Sequence, residues 1–433
     1  MKSPSYVSVL GSRRIAMLLP IGFASGLPLA LTGSTLQALM TSCGVDIRTI
    51  GLFALVGLPY TLKFLWAPLM DHLAPPYLGR RRGWMLLMQI ALMLSIALMA
   101  VISPRSSPVL MAVVALMVTA ASASLDIVAD AYRTDVLHPQ ERGLGTGVFI
   151  TGYRIAMLTS GALALVISDH IGWRATYLLM AAVMTVGIIA VIFAPEPQNA
   201  VKPPKNLQEA VWGPLKDYFT RDSAIKILLF IVLYKLSDAY AGSLSTAFLL
   251  KGMGFSATEV GTINKGLGLI STVVGAMFGG TMMIRLGLFR SLLLFGILQG
   301  VSNLLFMALA YTGKSYAMLI VTVAVENLTG GMGTASFVAF IMTLCHQRYS
   351  ATQYALLSSL AAMGRILVAP TSGIVVEAAG WANFFLITAL TAIPGMVLLL
   401  WLRTNIEAMA GEREKGCGSA LPSDPSRKGA QTP

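Results

Sequence analysis

Long apolar stretches with few or no charged residues alternate with short polar segments along most of the chain. An α-helix rises 1.5 Å per residue, so about 20 apolar residues can cross the roughly 30 Å hydrocarbon core of a bilayer. The stretches of this length lie at about residues 15–40, 50–70, 83–103, 108–134, 144–168, 174–194, 224–250, 259–283, 290–311, 315–343, 352–375 and 382–402. The pattern predicts an all-α polytopic membrane protein with twelve transmembrane helices.

A polar segment divides these stretches into two sets of six. It contains four prolines between 195 and 204 and then becomes amphipathic through Trp212, Leu215 and Phe219, which predicts a linker with a short helix. The polar end of the chain has too little apolar surface to fold. The predicted units are an N-terminal six-helix bundle at 1–194, a cytoplasmic linker at 195–223, a C-terminal six-helix bundle at 224–403 and a disordered cytoplasmic tail at 404–433.

The two sets of six also resemble each other in sequence. Gly44 and Gly254 begin similar segments at an offset of 210, whereas Gly172-Trp173 recurs as Gly380-Trp381 at an offset of 208. His138 recurs as His346 at the same offset of 208. Several pairs at nearly one offset indicate an internal duplication. Two parallel six-helix halves predict the major facilitator fold, a transporter that binds its substrate near the bilayer midplane between the halves.

Composition excludes a soluble enzyme. Of the 433 residues 56% are hydrophobic and only 12% are charged, with a mean hydropathy of +0.74. The net charge of +12 reflects basic residues between the apolar stretches and forms no continuous basic face, so no nucleic-acid partner is expected. These residues cluster in the loops of one side, which places both termini in the cytoplasm.

Familiar catalytic and nucleotide-binding motifs are missing from the sequence. It contains no GxxxxGK[ST], HExxH or GxSxG, and its three cysteines have no metal-like or redox spacing. We therefore expect neither an enzyme nor a metal site nor a cofactor, and transport would use an ion gradient.

Ionisable residues inside the predicted helices are the candidate functional residues, because a charge in the bilayer is costly unless it is paired or hydrated. Asp126 and Asp130 lie one helical turn apart, so both carboxylates share a helix face and one of them is expected to hold a proton. The candidates for proton coupling are Asp126, Asp130, Asp238 and Glu326. The candidates for substrate binding are Gln37, Tyr60, Lys63, Tyr153, Arg154, Lys235 and Arg365. An equally simple interpretation is that these charges form structural ion pairs, above all Lys235 with Asp238.

Three blocks in the N-terminal half carry a family resemblance. They are the run GFASGLPLALTGSTLQ at 22–37, the run from Ile50 through VGLPYTLKFLWAPLMD at 56–71 with LGRRRGW at 78–84, and SLDIVADAYRTD at 124–135 with ERGLG and GYRIAM after it. They resemble the AmpG-type muropeptide permeases of the major facilitator superfamily. The likeness is dense over about residues 20–180 and thinner in the C-terminal half.

The resemblance implies an importer in the bacterial inner membrane, and we expect it to be a monomer. Its substrates would be N-acetylglucosaminyl-1,6-anhydro-N-acetylmuramyl peptides, taken from periplasm to cytoplasm by proton symport for peptidoglycan recycling and β-lactamase induction. It further implies roles in proton coupling and substrate contact for Asp126 and Asp130, with Lys63 and Arg154 as their partners or as carboxylate binders.

Two features depart from the usual pattern. The gating loop between the second and third helices separates Asp71 from Arg80, Arg81 and Arg82 by seven additional residues before the Gly of the basic cluster. Asp71 can still be stabilised at the N-terminus of a helix across the bundle, through the helix dipole. The polar tail leaves no room for the additional hydrophobic pair that some relatives carry, so twelve helices remain the prediction.

Two other functions stay open on the sequence. One is a transporter of the same fold for another solute, such as a sugar, a siderophore or a drug, since fold does not determine substrate. The other is a membrane receptor or lipid-handling scaffold in which the buried charges are purely structural.

Overall fold

The computed structural model describes residues 12–45, 49, 53–76, 78–196, 204, 206–221 and 223–409, and these residues are helical without a strand. Side chains at 54, 251, 257–258, 261, 264–265 and 362–370 are not among those described. The α-helices are α1 Arg13–Thr32, α2 Ser34–Ser42, α3 Leu58–Leu62, α4 Ala67–His72, α5 Arg80–Met99, α6 Pro108–Val136, α7 Arg142–Leu158, α8 Ala164–Val183, α9 Thr185–Phe193, α10 Leu207–Phe219, α11 Ala224–Tyr234, α12 Leu236–Ala247, α13 Ala257–Val260, α14 Gly268–Thr312, α15 Tyr316–Leu344, α16 Ser350–Leu390 and α17 Ala392–Trp401.

Eight helical segments of the described chain are long and apolar enough to cross a membrane. Three of them contain a glycine with positive φ at which the chain turns from one helix into the next, namely Gly172, Gly287 and Gly380. Each turn separates two predicted stretches, and a ninth, shorter apolar helix at Leu55–Leu65 corresponds to the second stretch. With the three turns and this shorter helix, the eight segments correspond to the twelve predicted crossings.

The second predicted stretch is not one regular helix. It consists of a 3₁₀ turn at Phe53–Gly57, α3, a second 3₁₀ turn at Lys63–Leu65 and α4. Pro59 and Pro68 begin the two α-helical pieces, as expected because proline has no N–H to donate and is tolerated at the first turn of a helix. The interruption brings Lys63 to a break in the helix.

The sequence repeat recurs in the backbone. Gly44 and Gly254 both have φ of +70°, and Gly172 and Gly380 both have φ of +78°. Gly79 and Gly287 form a further pair at the offset of 208, with φ of +75° and +74°. His138 and His346 each precede a 3₁₀ turn, Pro139–Glu141 and Gln347–Tyr349. Equivalent turns at equivalent positions support the inferred duplication.

The two halves meet through pairs of helices that are equivalent in the repeat. Helix α7 of the first half crosses α14 of the second, and α16 of the second half packs on α4 and α6 of the first. A Cβ at Gly280 would lie 2.4 Å from the carbonyl oxygen of Gly143, so this crossing has room only for glycine. Ala351 and Ala355 of α16 pack within the hydrophobic core of the first half.

Candidate functional site

Helix α6 carries the two carboxylates that the sequence places on one face. Asp126 and Asp130 are both half-buried. Lys63, at the break in the second stretch, places its Nζ 3.9 Å from Asp130 Oδ2, and Asp126 interacts electrostatically with Lys63 and with Asp130. The structure thus assembles two acids around one lysine, as the pattern of buried charges suggested.

Two tyrosines predicted to contact substrate border this group. Tyr60 donates a hydrogen bond to Ser122 Oγ at 2.9 Å, one turn from Asp126, and interacts electrostatically with that carboxylate. Tyr153 on α7 interacts electrostatically with Asp126 and Tyr60. A polar cluster of acids, lysine and phenols therefore lies where α3, α6 and α7 face one another.

Arg154 is a candidate cation without an ion pair among the described residues. Its side chain is half-buried on α7, and its Nη1 lies 3.9 Å from Met157 Sδ. The expectation that Arg154 is a partner of the α6 carboxylates or a carboxylate binder therefore stays a prediction. A half-buried guanidinium with spare donors is suited to bind an anionic group bidentately.

Gln37 and Tyr60 line one cavity of about 140 Å³. Ligand pockets for drug-sized molecules typically span about 300–1,000 Å³, so this cavity can accommodate only part of a large solute. A larger depression of about 470 Å³ lies on the outer face of α7 and α8, and its lining is apolar and exposed, as in Ile155 and Val166. We regard the larger one as lipid-facing surface, because its lining contains none of the charged groups.

The second half holds a smaller charged cluster. Lys235 Nζ lies 3.3 Å from Asp238 Oδ2 and 3.1 Å from Thr334 Oγ1, which forms the ion pair expected from their spacing. Glu326 on α15 accepts a hydrogen bond from Asn327 Nδ2 at 2.7 Å and interacts electrostatically with Lys235 and Asp238. Arg365 belongs to α16, but its side chain lies outside the described residues.

The end of the molecule that carries the loop between α4 and α5 is closed by a buried ionic network. Asp71, with no exposed surface, accepts a hydrogen bond from Arg81 Nη2 at 2.8 Å. Across the two halves it also accepts 2.7 Å bonds from the backbone N–H and the hydroxyl of Thr352, in the first turn of α16. We call this region, defined by Asp71, Arg81, Ser350 and Thr352, the closed end.

Asp71 therefore lies at a helix N-terminus of the opposite half, where the helix dipole favours a negative charge. The additional residues in the loop do not prevent Arg81 from reaching it, because the loop folds back at Leu78 and Gly79, which both have positive φ. Arg81 is only 2% exposed and also binds Asp135 Oδ2 through Nε at 2.8 Å and Ser350 Oγ at 2.6 Å.

The other two arginines of the loop bind backbone carbonyls. Arg80 donates to the carbonyl oxygens of Gln347 at 3.2 Å and Arg348 at 3.3 Å, in the opposite half. Arg82 donates to Val191 and Ile192 at 3.0 and 2.6 Å, within its own half. Arg80 and Arg81 thus connect the halves, whereas the bonds of Arg82 stay within the first half.

The linker helix α10 also holds the closed end. Glu209 lies 2.7 Å from Arg348 Nη2, and Gln353 Nε2 donates to Asp217 Oδ2 at 2.8 Å. These bonds attach the polar side of α10 to the start of α16. Its other side exposes Leu207, Val211, Trp212 and Phe219, consistent with the amphipathic pattern.

Several residues of this site were not among the sequence candidates. Arg133, Asp135 and Arg142 are charged residues near helix ends, where solvation is the ordinary expectation, yet Arg133 and Arg142 are 3% and 5% exposed. Arg142 donates to Thr343 Oγ1 of the opposite half at 2.9 Å. The only feature of the sequence that pointed to these three residues was their membership of the blocks SLDIVADAYRTD and ERGLG, which carry the family resemblance.

Comparisons with known proteins agree with this architecture. The family model described as Major Facilitator Superfamily matches residues 18–271 and 227–423. The chain is 52% identical over 406 residues to the anhydromuropeptide permease of Escherichia coli K12, covering 94% of this chain and 83% of that protein. It is 32% identical to a putative transporter AmpG 4 of Rickettsia conorii, covering 91% and 97%.

A solved structure shares the fold at low sequence identity. The crystal structure of a bacterial homologue of the iron transporter ferroportin in an outward-facing state superposes with a TM-score of 0.68 at 13% identity, covering 91% of this chain and 100% of that chain. The prediction of an all-α membrane protein with two six-helix bundles is thereby confirmed. The likeness to AmpG-type permeases noted in the sequence is confirmed as well.

Proposed function

Because the chain belongs to the major facilitator superfamily, and within it to the family of anhydromuropeptide permeases, we propose that it imports anhydro-muropeptides from periplasm to cytoplasm by proton symport. The observation that carries the substrate class is the 52% identity to the Escherichia coli permease over 94% of this chain. The substrates would be N-acetylglucosaminyl-1,6-anhydro-N-acetylmuramyl peptides. The import would serve peptidoglycan recycling and supply the signal for β-lactamase induction.

The charged cluster on α6 supports proton coupling. Two half-buried carboxylates lie one turn apart, with Lys63 Nζ 3.9 Å from Asp130 and Arg133 paired with the same carboxylate. In such a site, a proton bound to a carboxyl would take the place of its pairing with a cation. Glu326 and Asp238 around Lys235 would form the corresponding pair of acids in the second half. A proton bound at either cluster would remove a negative charge from the path of an anionic substrate.

The cations of the same region fit the proposed substrate. A muropeptide carries peptide carboxylates and sugar hydroxyls, and Arg154, the guanidinium without an ion pair among the described residues, would bind a carboxylate. Gln37 and Tyr60 on the neighbouring cavity would hydrogen-bond the sugar. Lys63, Tyr153, Lys235 and Arg365 complete the set of proposed substrate contacts.

The transport cycle would proceed by alternating access. The ionic network around Asp71 would hold the closed end while substrate and proton enter from the other side, and its opening would release both. In the proposed orientation this end faces the cytoplasm together with both termini, the protein lies in the bacterial inner membrane, and one monomer suffices. The gradient replaces any cofactor.

The test is uptake of a labelled anhydro-disaccharide tripeptide into proteoliposomes with an imposed inward proton gradient, with and without a protonophore. Accumulation that the protonophore abolishes would support both substrate and coupling. Asp126→Asn and Asp130→Asn should each reduce accumulation at least tenfold, and at least one of them should retain substrate exchange. Asp169→Asn is the matched control, because Asp169 is an exposed carboxylate outside both clusters and should leave uptake unchanged.

Two outcomes would contradict the proposal. Protonophore-insensitive accumulation would make the protein a passive or differently driven carrier of the same substrate. If neither binding nor uptake occurred, the muropeptide assignment would fall and another solute would have to be sought for the same fold.

A further inference from the structure

Arg133 on α6 is a buried charge that the proposed transport steps do not use. Its side chain is only 4% exposed, and its guanidinium pairs with Asp130 one turn earlier on the same helix. Its Cζ lies 3.9 Å from the ring centroid of Phe149 on α7. Its Nε has no hydrogen-bond partner among the described residues. The guanidinium is therefore almost fully desolvated, and Asp130 is its one ion-pair partner among the described residues, with a weaker electrostatic interaction from Asp126.

The guanidinium also reaches the opposite half. Its Nη2 lies 3.4 Å from the hydroxyl of Tyr354 on α16, and the ring centroid of Tyr354 is 6.0 Å from Cζ. Tyr354 is 4% exposed, and the adjacent Ala355 packs into the core of the first half. Arg133 thus lies between the candidate proton site and the helix whose first turn binds Asp71.

Neutralising Asp130 would change the electrostatic balance of this contact. The titratable and charged groups that face Asp130 and Arg133 from the packed elements are Lys63, Asp126, Tyr153 and Tyr354. None of them replaces the adjacent carboxylate, because Asp126 interacts with Arg133 more weakly than Asp130 does and forms no ion pair with it, and the tyrosines are neutral. A buried cation without its partner is strongly destabilising, whereas the same cation in water is not.

We propose that Arg133 is the positioning residue that couples protonation of Asp130 to opening of the closed end. With Asp130 ionised, Arg133 is paired and the contact with Tyr354 stays buried. With Asp130 neutral, separation of α16 from α6 hydrates the guanidinium and becomes favourable. The inference rests on the proposed proton coupling at Asp130, and it adds the direction of the effect: proton arrival favours opening toward the side of the closed end.

The experiment measures opening directly, without substrate. Ala355→Cys, in the otherwise full-length chain with Cys43, Cys345 and Cys417 replaced by serine, places a small thiol between the halves, where the native side chain is 1% exposed. The rate of its reaction with N-ethylmaleimide at one pH reports how often the closed end opens. Asp130→Asn imitates the protonated carboxyl at that pH.

The expected result is a double-mutant dependence. Asp130→Asn should raise the labelling rate at least tenfold when Arg133 is present, and less than twofold in the Arg133→Gln background. Arg133→Lys keeps the charge and should restore the effect. Glu407→Gln is the matched control, since it neutralises the carboxylate of an exposed i,i+4 ion pair with Arg403 in the other half, outside both charged clusters, and should leave the rate unchanged.

An equal effect of Asp130→Asn with and without Arg133, or no effect at all, would overturn the proposal. If Arg133→Gln does not fold, Tyr354→Phe supplies the second test. It removes only the hydroxyl that Arg133 faces, and it should raise the labelling rate two- to fivefold. An unchanged rate in a monodisperse Tyr354→Phe protein would overturn the proposal too.

Failure of the proposed role of Arg133 is distinguishable from failure of the proposed function. The labelling assay contains no muropeptide and no gradient, so it can succeed while the uptake assay fails. That result would leave the link between Asp130 and the closed end intact, but it would contradict the proposed substrate or the proposed symport. The converse pattern, proton-driven uptake without the double-mutant dependence, would withdraw only the role of Arg133.

Discussion

At the scale of single residues, Asp71 is held in place from several directions. It is completely buried and receives hydrogen bonds from Arg81, from the backbone N–H groups of Ala351 and Thr352, and from the Thr352 hydroxyl. A buried carboxylate is tolerated because every one of these donors is in place. The same arrangement makes the closed end sensitive to loss of one charge.

We expect Asp71→Asn to destabilise the closed end by about 3–5 kcal/mol, the usual cost of breaking a buried ion pair. Arg81 would lose one of its two carboxylates, and the amide group of the new asparagine would place N–H donors against the donors that now bind Asp71. The measurement is the labelling rate of the Ala355→Cys thiol in the cysteine-replaced chain, which should rise by more than tenfold. Glu407→Gln is the control. It breaks an exposed i,i+4 pair with Arg403, worth about 0–1 kcal/mol, and should change nothing measurable.

At the scale of helices, close approach depends on glycine where the halves cross. Gly143 and Gly147 on α7 face Gly280 and Ala276 on α14 at backbone contact, with a Cβ at Gly147 falling 2.8 Å from the Ala276 carbonyl oxygen. Small residues let helix backbones approach in membranes, where dispersion contacts replace the hydrophobic effect between helices. The crossing therefore contributes to the contact between the two halves.

Gly280→Ala should push α7 and α14 apart. The added methyl would meet the Gly143 carbonyl at 2.4 Å, and backbone atoms cannot rotate away as a side chain could, so a cost of about 1–3 kcal/mol is expected. Proton-driven uptake should fall at least fivefold in proteoliposomes at equal protein content. Gly242→Ala, with nothing within 4 Å of the added Cβ, should leave uptake near wild type. Equal losses in both variants would contradict the crossing argument.

At the scale of the whole molecule, the two halves are joined by a linker that also bridges them in space. Helix α10 binds Arg348 through Glu209 and Gln353 through Asp217, and its start follows Pro204, whose carbonyl oxygen lies 2.9 Å from His72 Nδ1 of the first half. The linker therefore contacts both halves at the closed end. It should stabilise the closed arrangement without taking part in substrate binding.

The double variant Glu209→Gln with Asp217→Asn should shift the population of the closed state by about 1 kcal/mol, roughly fivefold, because both contacts are partly exposed. Distances between spin labels at Gln140 and Lys226, one exposed residue in each half, would record a larger open fraction in nanodiscs. Lys216→Gln, on the exposed side of the same helix, is the control. A fivefold shift in the same direction in the control would contradict the argument, because Lys216→Gln breaks neither contact and changes the net charge with the opposite sign.

The sequence by itself determined the number of crossings, the repeat and the identity of most charged candidates, because the length of an apolar stretch and the residues within it are local properties. The turns at Gly172 and Gly380 and the pairing of Lys235 with Asp238 at i,i+3 were predictable for the same reason. The predicted boundaries of the two bundles, the linker and the tail stay predictions, and parts of the linker and tail lie outside the described residues.

Only the tertiary structure decided which charges meet. Asp71 and Thr352 are 281 residues apart, and although the sequence allowed a helix N-terminus across the bundle as the partner of Asp71, no local pattern identified Thr352 as the donor. Arg133 has the sequence position of a solvated helix-end arginine, and it loses its water because α7 and α16 both pack against α6. The free energy of placing a charge in the protein depends on its burial and on its partners, and both are properties of the packed halves. The helices themselves follow from the local sequence pattern.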